Sequence, residues 1–236
     1  MLKLNLNTAS LPEYTMTLPI SSMLVKYRPF VVKEEKVLLI ALQSNNPNQV
    51  NDAIRNILLA CTDAKLDTKK VCAADAEYAF LQVRCKSIGE EVKPKVSCTK
   101  CDTAINVKIK LDEITVAEKD KPKTDPNIKL SDRLSVVMRH PSIHDLDYSL
   151  TQVDMAVEMC KRCIESVILD EQVHMASDIS QEEVSEFVEN MLPNQFEKLI
   201  SFFSAAPELK YQFSYKCPGC GKKVGLEVSK VADFFP

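Results

Sequence analysis

Apolar and polar positions along the chain fall into helices of 3.6-residue period separated by short stretches of period two. Residues 1–19 follow neither period and contain Pro12 and Pro19, so they read as an extended N-terminal arm. Met23 to Phe30 reads as a strand that stops at Pro29. Val32 to Gln43 reads as a helix whose apolar residues cover more than one stripe, which places it at the centre of a core. Asn46 and Pro47 form an N-cap and first helical position. Behind them Val50, Ala53, Ile54, Ile57, Leu58 and Cys61 recur at helical spacing. A third helix is predicted over about 72–87, with Tyr78, Leu81 and Cys85 on one face.

The period then changes to two. Val92 to Val96 and Ile105 to Leu111 read as strands around Cys98-Thr99-Lys100-Cys101, with Ile105, Val107, Ile109 and Leu111 on one side. Residues 117–127 are charged, carry Pro122 and Pro126, and read as a linker. A strand is predicted over 134–139, then a helix over about 146–164 with Val153, Val157, Cys160 and Ile164 on one stripe. Ser180 and Glu183 match a capping box ahead of Val184, Phe187, Val188 and Met191. A further helix over about 194–204 shows Phe196, Leu199, Ile200 and Phe203. The chain ends with strands Lys210 to Tyr215 and Lys223 to Val228 around Cys217-Pro218-Gly219-Cys220, and a VADFF tail.

Two halves of this pattern rhyme. Each has a strand ending in an arginine and a proline (Arg28-Pro29; Arg139-His140-Pro141), then helices, then a hairpin tipped by CxxC. The order suggests an internal duplication. The expected fold is therefore α+β, with two related helix-plus-β-hairpin halves joined by a four-cysteine, zinc-ribbon-like site. The expected organisation is an arm (1–19), a first half (20–116), a linker (117–127) and a second half (128–236).

Composition narrows the chemistry. The 236 residues hold 45% hydrophobic and 27% charged side chains, enough apolar mass for a core. The net charge of -3 argues against a dedicated nucleic-acid binder held by counterion release. With only 4 glycines, three of them beside the second cysteine pair, no Gly-rich phosphate loop or dinucleotide fingerprint can form. The start of the chain lacks a signal-peptide core, and the longest apolar run, Val37 to Leu42, is far too short to span a bilayer. Synthesis and folding in a cytoplasm are expected, with the 9 cysteines as thiols or metal ligands.

The strongest chemical signal is Cys98-x-x-Cys101 together with Cys217-x-x-Cys220. A thiolate pair on a tight hairpin turn can grip one metal ion, and the turn's N–H groups offset the sulfur charge. Two such pairs supply the closed tetrahedral set of structural zinc, which leaves no open position for catalysis. Cys217 lies 116 positions after Cys101, so sharing one ion requires the fold to bring two hairpins together. Gly219 and Gly221 are expected to supply the backbone angles of the second turn. Cys160-x-x-Cys163 lies within an amphipathic helix and, like Cys61, Cys72 and Cys85, reads as a small buried hydrophobe. His140 and His144 are separated by Pro141 and form no helical metal pair; His174 is isolated. No catalytic constellation emerges. Lys210, Lys216, Lys222 and Lys223 around the second pair, with Tyr211, Phe213 and Tyr215 alternating, keep a zinc-hairpin nucleic-acid reading open, although a half-buried hairpin with solvated lysines accounts for them too. Phe234 and Phe235 either cap the core or dock into a partner.

Three stretches resemble the baseplate-hub protein family of T-even-type contractile-tail bacteriophages. They are TLPISSMLVKYRPFVVKEEKVLLIALQS, AEYAFLQVRCKSIGEEVKPKVSCTKC and KCPGCGKKVGLEVSKVADFF. The likeness runs from about Leu18 to Phe235, and the CTKC turn departs from it by lacking Pro and Gly. The resemblance implies a non-enzymatic part in building a tail baseplate. Its partners would be other baseplate and tail-hub proteins, with no small-molecule substrate, nucleic acid or membrane, and its place would be the virion tail. An assembly chaperone absent from the finished particle is the alternative within that family.

Overall fold

Tyr14–Thr17 (β1), within the stretch expected to be a plain extended arm, pairs antiparallel with Leu24–Tyr27 (β2), which falls in the strand predicted over Met23 to Phe30. The structure is a computed structural model that describes residues 11–93, 95–98, 100–111, 114–117 and 125–228. Contacts divide the chain into two compact units, one of residues 1–117 and 209–236, the other of residues 118–208. The CPGC hairpin, expected at the end of the 128–236 half, thus belongs to the same unit as the CTKC hairpin.

In the first unit, helices α1 (Val32–Gln43), α2 (Pro47–Cys61) and α3 (Ala73–Ser87) follow the hairpin. The Asn46 side chain accepts from the Asn48 N–H at 3.0 Å and Pro47 opens α2, as the sequence predicts. Ala53, Ile54, Ile57, Leu58 and Cys61 are all buried. The expected centrality of α1 is not met. Only Leu38 and Ala41 are buried there, while Val32, Val37, Leu39 and Ile40 are exposed. The central helix is α3, which buries residues all round its axis, including Ala74, Ala76, Ala79, Phe80, Leu81 and Val83. Small side chains let neighbours approach it from several sides, which a search for one apolar stripe overlooks. Its buried Asp75 accepts the N–H groups of Ile20 and Ser21, both at 2.9 Å, and so ties the β1–β2 turn to the first turn of α3.

The two predicted strands after α3 break into two short ladders. Glu91–Val92 (β3) pairs with Ile109–Lys110 (β6), and Lys95–Ser97 (β4) pairs with Ala104–Asn106 (β5). Thr115–Ala117 (β7) joins Glu208–Lys216 (β12) and Lys223–Val228 (β13) in a sheet of order β13-β12-β7. This sheet binds the end of the chain into the first unit.

The second unit is built on a four-stranded antiparallel sheet of order β11-β10-β9-β8: Asn127–Lys129 (β8), Leu134–Met138 (β9), Ile164–Leu169 (β10) and Gln172–Met175 (β11). The predicted 134–139 strand is β9. Strands β10 and β11 have no counterpart in the sequence reading. Their turn uses Asp170 and Glu171 at φ 49 and 67, positions where glycine is the usual signal. Helix α4 (Gln152–Cys163) starts later than expected, capped by Thr151, and Val153 points to solvent at 73% exposure. Helices α5 (Gln181–Glu189) and α6 (Pro193–Ser204) complete the unit, with the Ser180–Glu183 capping box formed at 2.9 and 3.1 Å. Cys160, Cys163, Ile164, Val184, Val188, Leu199 and Phe202 form its core with Val136 and Met138. Most of the expected linker, residues 118–124, lies outside the described residues.

Each unit contains the same arginine clamp after its first hairpin. Arg28 follows β2, donates its N–H to Cys61 O at 2.9 Å, and grips Glu34 six positions on with two bonds of 2.8 and 3.0 Å. Arg139 follows β9, donates to Cys163 O at 2.9 Å, and grips Asp145 six positions on at 2.6 and 3.1 Å. In both, the carboxylate also accepts a backbone N–H three residues earlier, from Val31 at 2.8 Å and from Ser142 at 2.7 Å. In both, the guanidinium donates to the carbonyl of the next residue, Pro29 or His140. Bidentate geometry and a satisfied carboxylate make these pairs worth more than surface contacts.

Burial alone would raise the Asp145 carboxyl, but the Arg139 guanidinium and the Ser142 N–H and hydroxyl outweigh it and hold the group below its ordinary value. A carboxylate lowered on folding stabilises fully above its unfolded value, about pH 4. That stability is lost as pH falls through the folded value. We therefore expect Asp145→Asn to cost about 2–3 kcal/mol at pH 7 in urea unfolding. The difference from wild type should shrink as the pH drops below about 4. Asp170→Asn, which breaks the exposed Arg133–Asp170 pair, should leave stability close to wild type. Equal losses for the two variants would refute this ranking.

Candidate metal centre

The strand pairs β4–β5 and β12–β13 each end in a cysteine turn, and the two turns share one backbone plan. Cys98 N–H donates to Thr103 O at 3.0 Å and Asp102 N–H returns to Cys98 O at 3.0 Å. In the second turn, Cys217 N–H donates to Lys222 O at 2.9 Å and Gly221 N–H returns to Cys217 O at 2.8 Å. The residue after the second cysteine is left-handed in both, with Asp102 at φ 52 and Gly221 at φ 70. The missing glycine of the CTKC turn is therefore replaced by an aspartate, one of the few side chains that tolerates this conformation. Gly221 plays the role expected of it. Gly219 does not have a positive φ; its lack of a side chain serves close approach instead. A Cβ there would lie 2.5 Å from Thr103 Oγ1 and 3.5 Å from Cys101 Sγ, both on the opposite turn.

All four sulfurs converge within 4.8 Å of one another, and no other group of three or more His, Cys, Asp or Glu among the described residues is placed to hold an ion. Cys98 Sγ is 3.8 Å from Cys220 Sγ, and Cys101 Sγ is 3.5 Å from Cys217 Sγ. Tetrahedral zinc with bonds of about 2.3 Å requires sulfurs about 3.8 Å apart. The spacing thus fits an ion at the centre. Cys98 and Cys217 are buried, Cys220 half-buried and Cys101 exposed. Val224, Ile105 and Tyr215 pack around the cluster.

Electrostatics point the same way. Backbone N–H groups of Lys100 and Cys101 face Cys98 Sγ and lower its thiol. The Thr103 hydroxyl, then its N–H, brings Cys101 down to about 6. At Cys220 the Lys222 N–H lowers the thiol, but burial and the three neighbouring sulfurs overcome it and push the group up to about 11. Some sulfurs are thus prepared for ionisation while their neighbours resist it. A cation between them resolves the conflict, because coordination requires and stabilises all four thiolates. The other cysteines contrast sharply. Burial raises Cys61, Cys160 and Cys163 to about 12, as befits small core hydrophobes, whereas Cys72, expected to be buried too, is half-buried at the start of α3 and raised to about 11. Cys160-x-x-Cys163 is therefore core, as its helical setting predicts.

His140 stacks on Phe202 with ring centroids 4.8 Å apart, and burial lowers its imidazole. Around the second turn, Lys216, Lys222 and Lys223 are exposed, whereas Tyr215 faces the sulfurs. Lys210, Tyr211 and Phe213 have side chains outside the described set, and Phe234 and Phe235 lie outside the described residues altogether. Thr103 and Asp102 were missed as parts of the site. Their signal was position alone, two residues and one residue after the second cysteine.

No helix among the described residues is long and apolar enough to cross a membrane. No curated protein and no solved structure matches the chain. A family model described as T4 bacteriophage base plate protein matches residues 11–236, so the match takes in both units and both cysteine turns. With nearly its whole length covered, the chain belongs to the T4 bacteriophage base plate protein family.

Proposed function

We propose that this chain is a structural component of the baseplate hub of a contractile phage tail, working by protein–protein contacts and held in shape by one structural zinc. Membership of the base plate family carries the first part: the chain is a phage baseplate protein that works among other tail proteins. The hub position rests on the resemblance of the Leu18 block and the CPGC tail to hub proteins. The family also speaks for a structural rather than catalytic role. Surface apolar groups favour contact with proteins. Val37 and Ile40 lie exposed on α1, and Leu169, Val173 and Met175 on the β10–β11 hairpin, whose outer strand is an edge of its sheet among the described residues.

The four-sulfur geometry carries the second part. A closed four-cysteine centre leaves no site for water or substrate and contributes folding free energy directly. Zinc suits four thiolates at tetrahedral spacing better than the harder divalent ions do. By joining sites 116 positions apart it fixes the last hairpin to the CTKC turn. The repeated arginine clamp supports the reading of two related helix-plus-hairpin stretches, the first following residue 20 and the second following residue 128. The C-terminal Phe234 and Phe235 remain candidates for partner contact.

A nucleic-acid-binding zinc hairpin is the reading of a different class, and exposed Lys216, Lys222 and Lys223 favour it. Against it stand the acidic balance of -3 and the use of Tyr215 as packing for the sulfurs, which removes that ring from base stacking. An assembly chaperone would show the same fold and zinc but would be missing from the particle.

Metal analysis of the purified protein should find one zinc per chain. Cys98→Ser and Cys217→Ser should each abolish stoichiometric zinc and cost on the order of 4 kcal/mol in unfolding free energy. Cys160→Ser should keep the zinc and show only the cost of a core change. Equal tolerance at the three positions would contradict a shared centre. Peptides of this chain should appear in mass spectra of purified phage particles. Zinc without a virion signal would move the role to assembly chaperone, and salt-dependent DNA or RNA binding at physiological ionic strength would move it to the nucleic-acid class.

A further inference from the structure

The exposed sulfur has a partner that its three companions lack. Cys101 Sγ lies 3.2 Å from Thr103 Oγ1, and the Thr103 N–H faces the same sulfur. The equivalent position of the other turn is Lys222, which has no hydroxyl to offer. Beside both the Thr103 hydroxyl and the Cys101 sulfur is Gly219 of the opposite turn, where a Cβ would come within 2.5 Å of Oγ1, 3.3 Å of Thr103 Cβ and 3.5 Å of Cys101 Sγ. The hydroxyl therefore lies beside the exposed sulfur, close against the other turn at residue 219. Its place beside the sulfur stays open only while residue 219 has no side chain.

We infer that Thr103 is the positioning residue of the metal centre: its hydroxyl donates to the metal-bound Cys101 thiolate, and Gly219 preserves the space that bond needs. This rests on the reading of the four cysteines as a metal centre. A thiolate bound to metal carries no proton, so in the loaded site the hydroxyl must be the donor. Four thiolates around a divalent cation have a net charge of about -2, and outer hydrogen bonds spread that charge. Cys98 and Cys217 are shielded by burial. Cys101 faces water, so it is where an incoming ligand first competes for the ion, and one directed hydroxyl there controls how long the metal is kept.

The test uses the full chain and metal alone, with Co2+ as a spectroscopic probe and Zn2+ followed by competition with a chelator. Thr103→Val keeps the shape and removes the donor. It should weaken zinc about 10- to 100-fold and speed its transfer to the chelator. It should also move the Co2+–thiolate charge-transfer band to lower energy, because an unbonded thiolate gives up its electrons more readily. Thr103→Ser should restore affinity, transfer rate and band position. Gly219→Ala, at a backbone angle that alanine accepts, should reproduce the Thr103→Val band shift with the threonine still in the chain. Thr62→Val removes a buried hydroxyl bonded to Leu58 O elsewhere in the same unit and should leave the band unmoved.

Wild-type protein that binds neither ion would overturn the metal reading itself. Wild-type binding with unchanged affinity, transfer rate and band in both Thr103→Val and Gly219→Ala would overturn the role of Thr103 and leave the metal reading standing. If Thr103→Val does not fold, Gly219→Ala decides the question: an unmoved band refutes the inference.

Discussion

Four sulfurs drawn into a space of a few ångströms cannot all be bare thiolates, and the organisation of the first unit follows from that constraint. Two of them arrive from the β4–β5 turn and two from the β12–β13 turn, 116 positions further along the chain. The turns present backbone N–H groups to the sulfurs before any ion arrives, so part of the charge is offset in advance. What the backbone leaves uncompensated, a divalent cation held by the four sulfurs would supply. The β12–β7 pairing joins the last hairpin to the unit that contains the first three helices, and an ion held by the four sulfurs would add a second link. The second unit is thereby an insertion within the first: the chain leaves after β7, builds an independent sheet-and-helix core, and returns to finish the first.

Away from the cysteine turns, an arginine clamp fixes the chain locally. Arg28 and Arg139 each leave a hairpin, bind the carbonyl at the end of a helix and hold a carboxylate six residues on. The pairs are partly sheltered, with Arg139 and Asp145 at 30% and 8% side-chain exposure. Shelter separates them from Arg133–Asp170, which is bidentate too but lies in water, where screening and side-chain entropy cancel most of the gain. A protein poor in glycine and without disulfides fixes its turns by such side-chain-to-backbone contacts. Asp75 of α3, which accepts from the β1–β2 turn, and Ser180 at the start of α5 belong to the same class.

Features closed within a few residues were legible in the sequence. The Asn46-Pro47 start, the Ser180–Glu183 box, the apolar face of α2 and the burial of Cys160 all depend on neighbours one to four positions away, and all are found as read. The misreadings have two causes. Helix α1 has a nearly continuous apolar run yet lies at the surface, whereas α3 is surrounded on all sides with a far less apolar sequence. Burial is set by which surfaces other elements reach, and alanines at 74, 76 and 79 allow close approach without announcing it. Strands β10 and β11 escaped because their turn places Asp170 and Glu171 where glycine would have signalled it.

The site shows the same division at higher resolution. The sequence by itself singled out the candidate ligands: two cysteine pairs, each with the spacing of a metal-gripping turn, set apart from a third pair by helical context. It also contained, in the blocks around Leu18 and the CPGC tail, the likeness to phage baseplate proteins. Only the tertiary structure decided that the pairs meet, that Asp102 stands in for a glycine, that Gly219 serves the neighbouring turn and not its own, and that Thr103 reaches the exposed sulfur. Ligand type and spacing are local and survive in one dimension. The meeting of turns 116 positions apart depends on the packing of everything between and around them, and no short window of sequence contains that information.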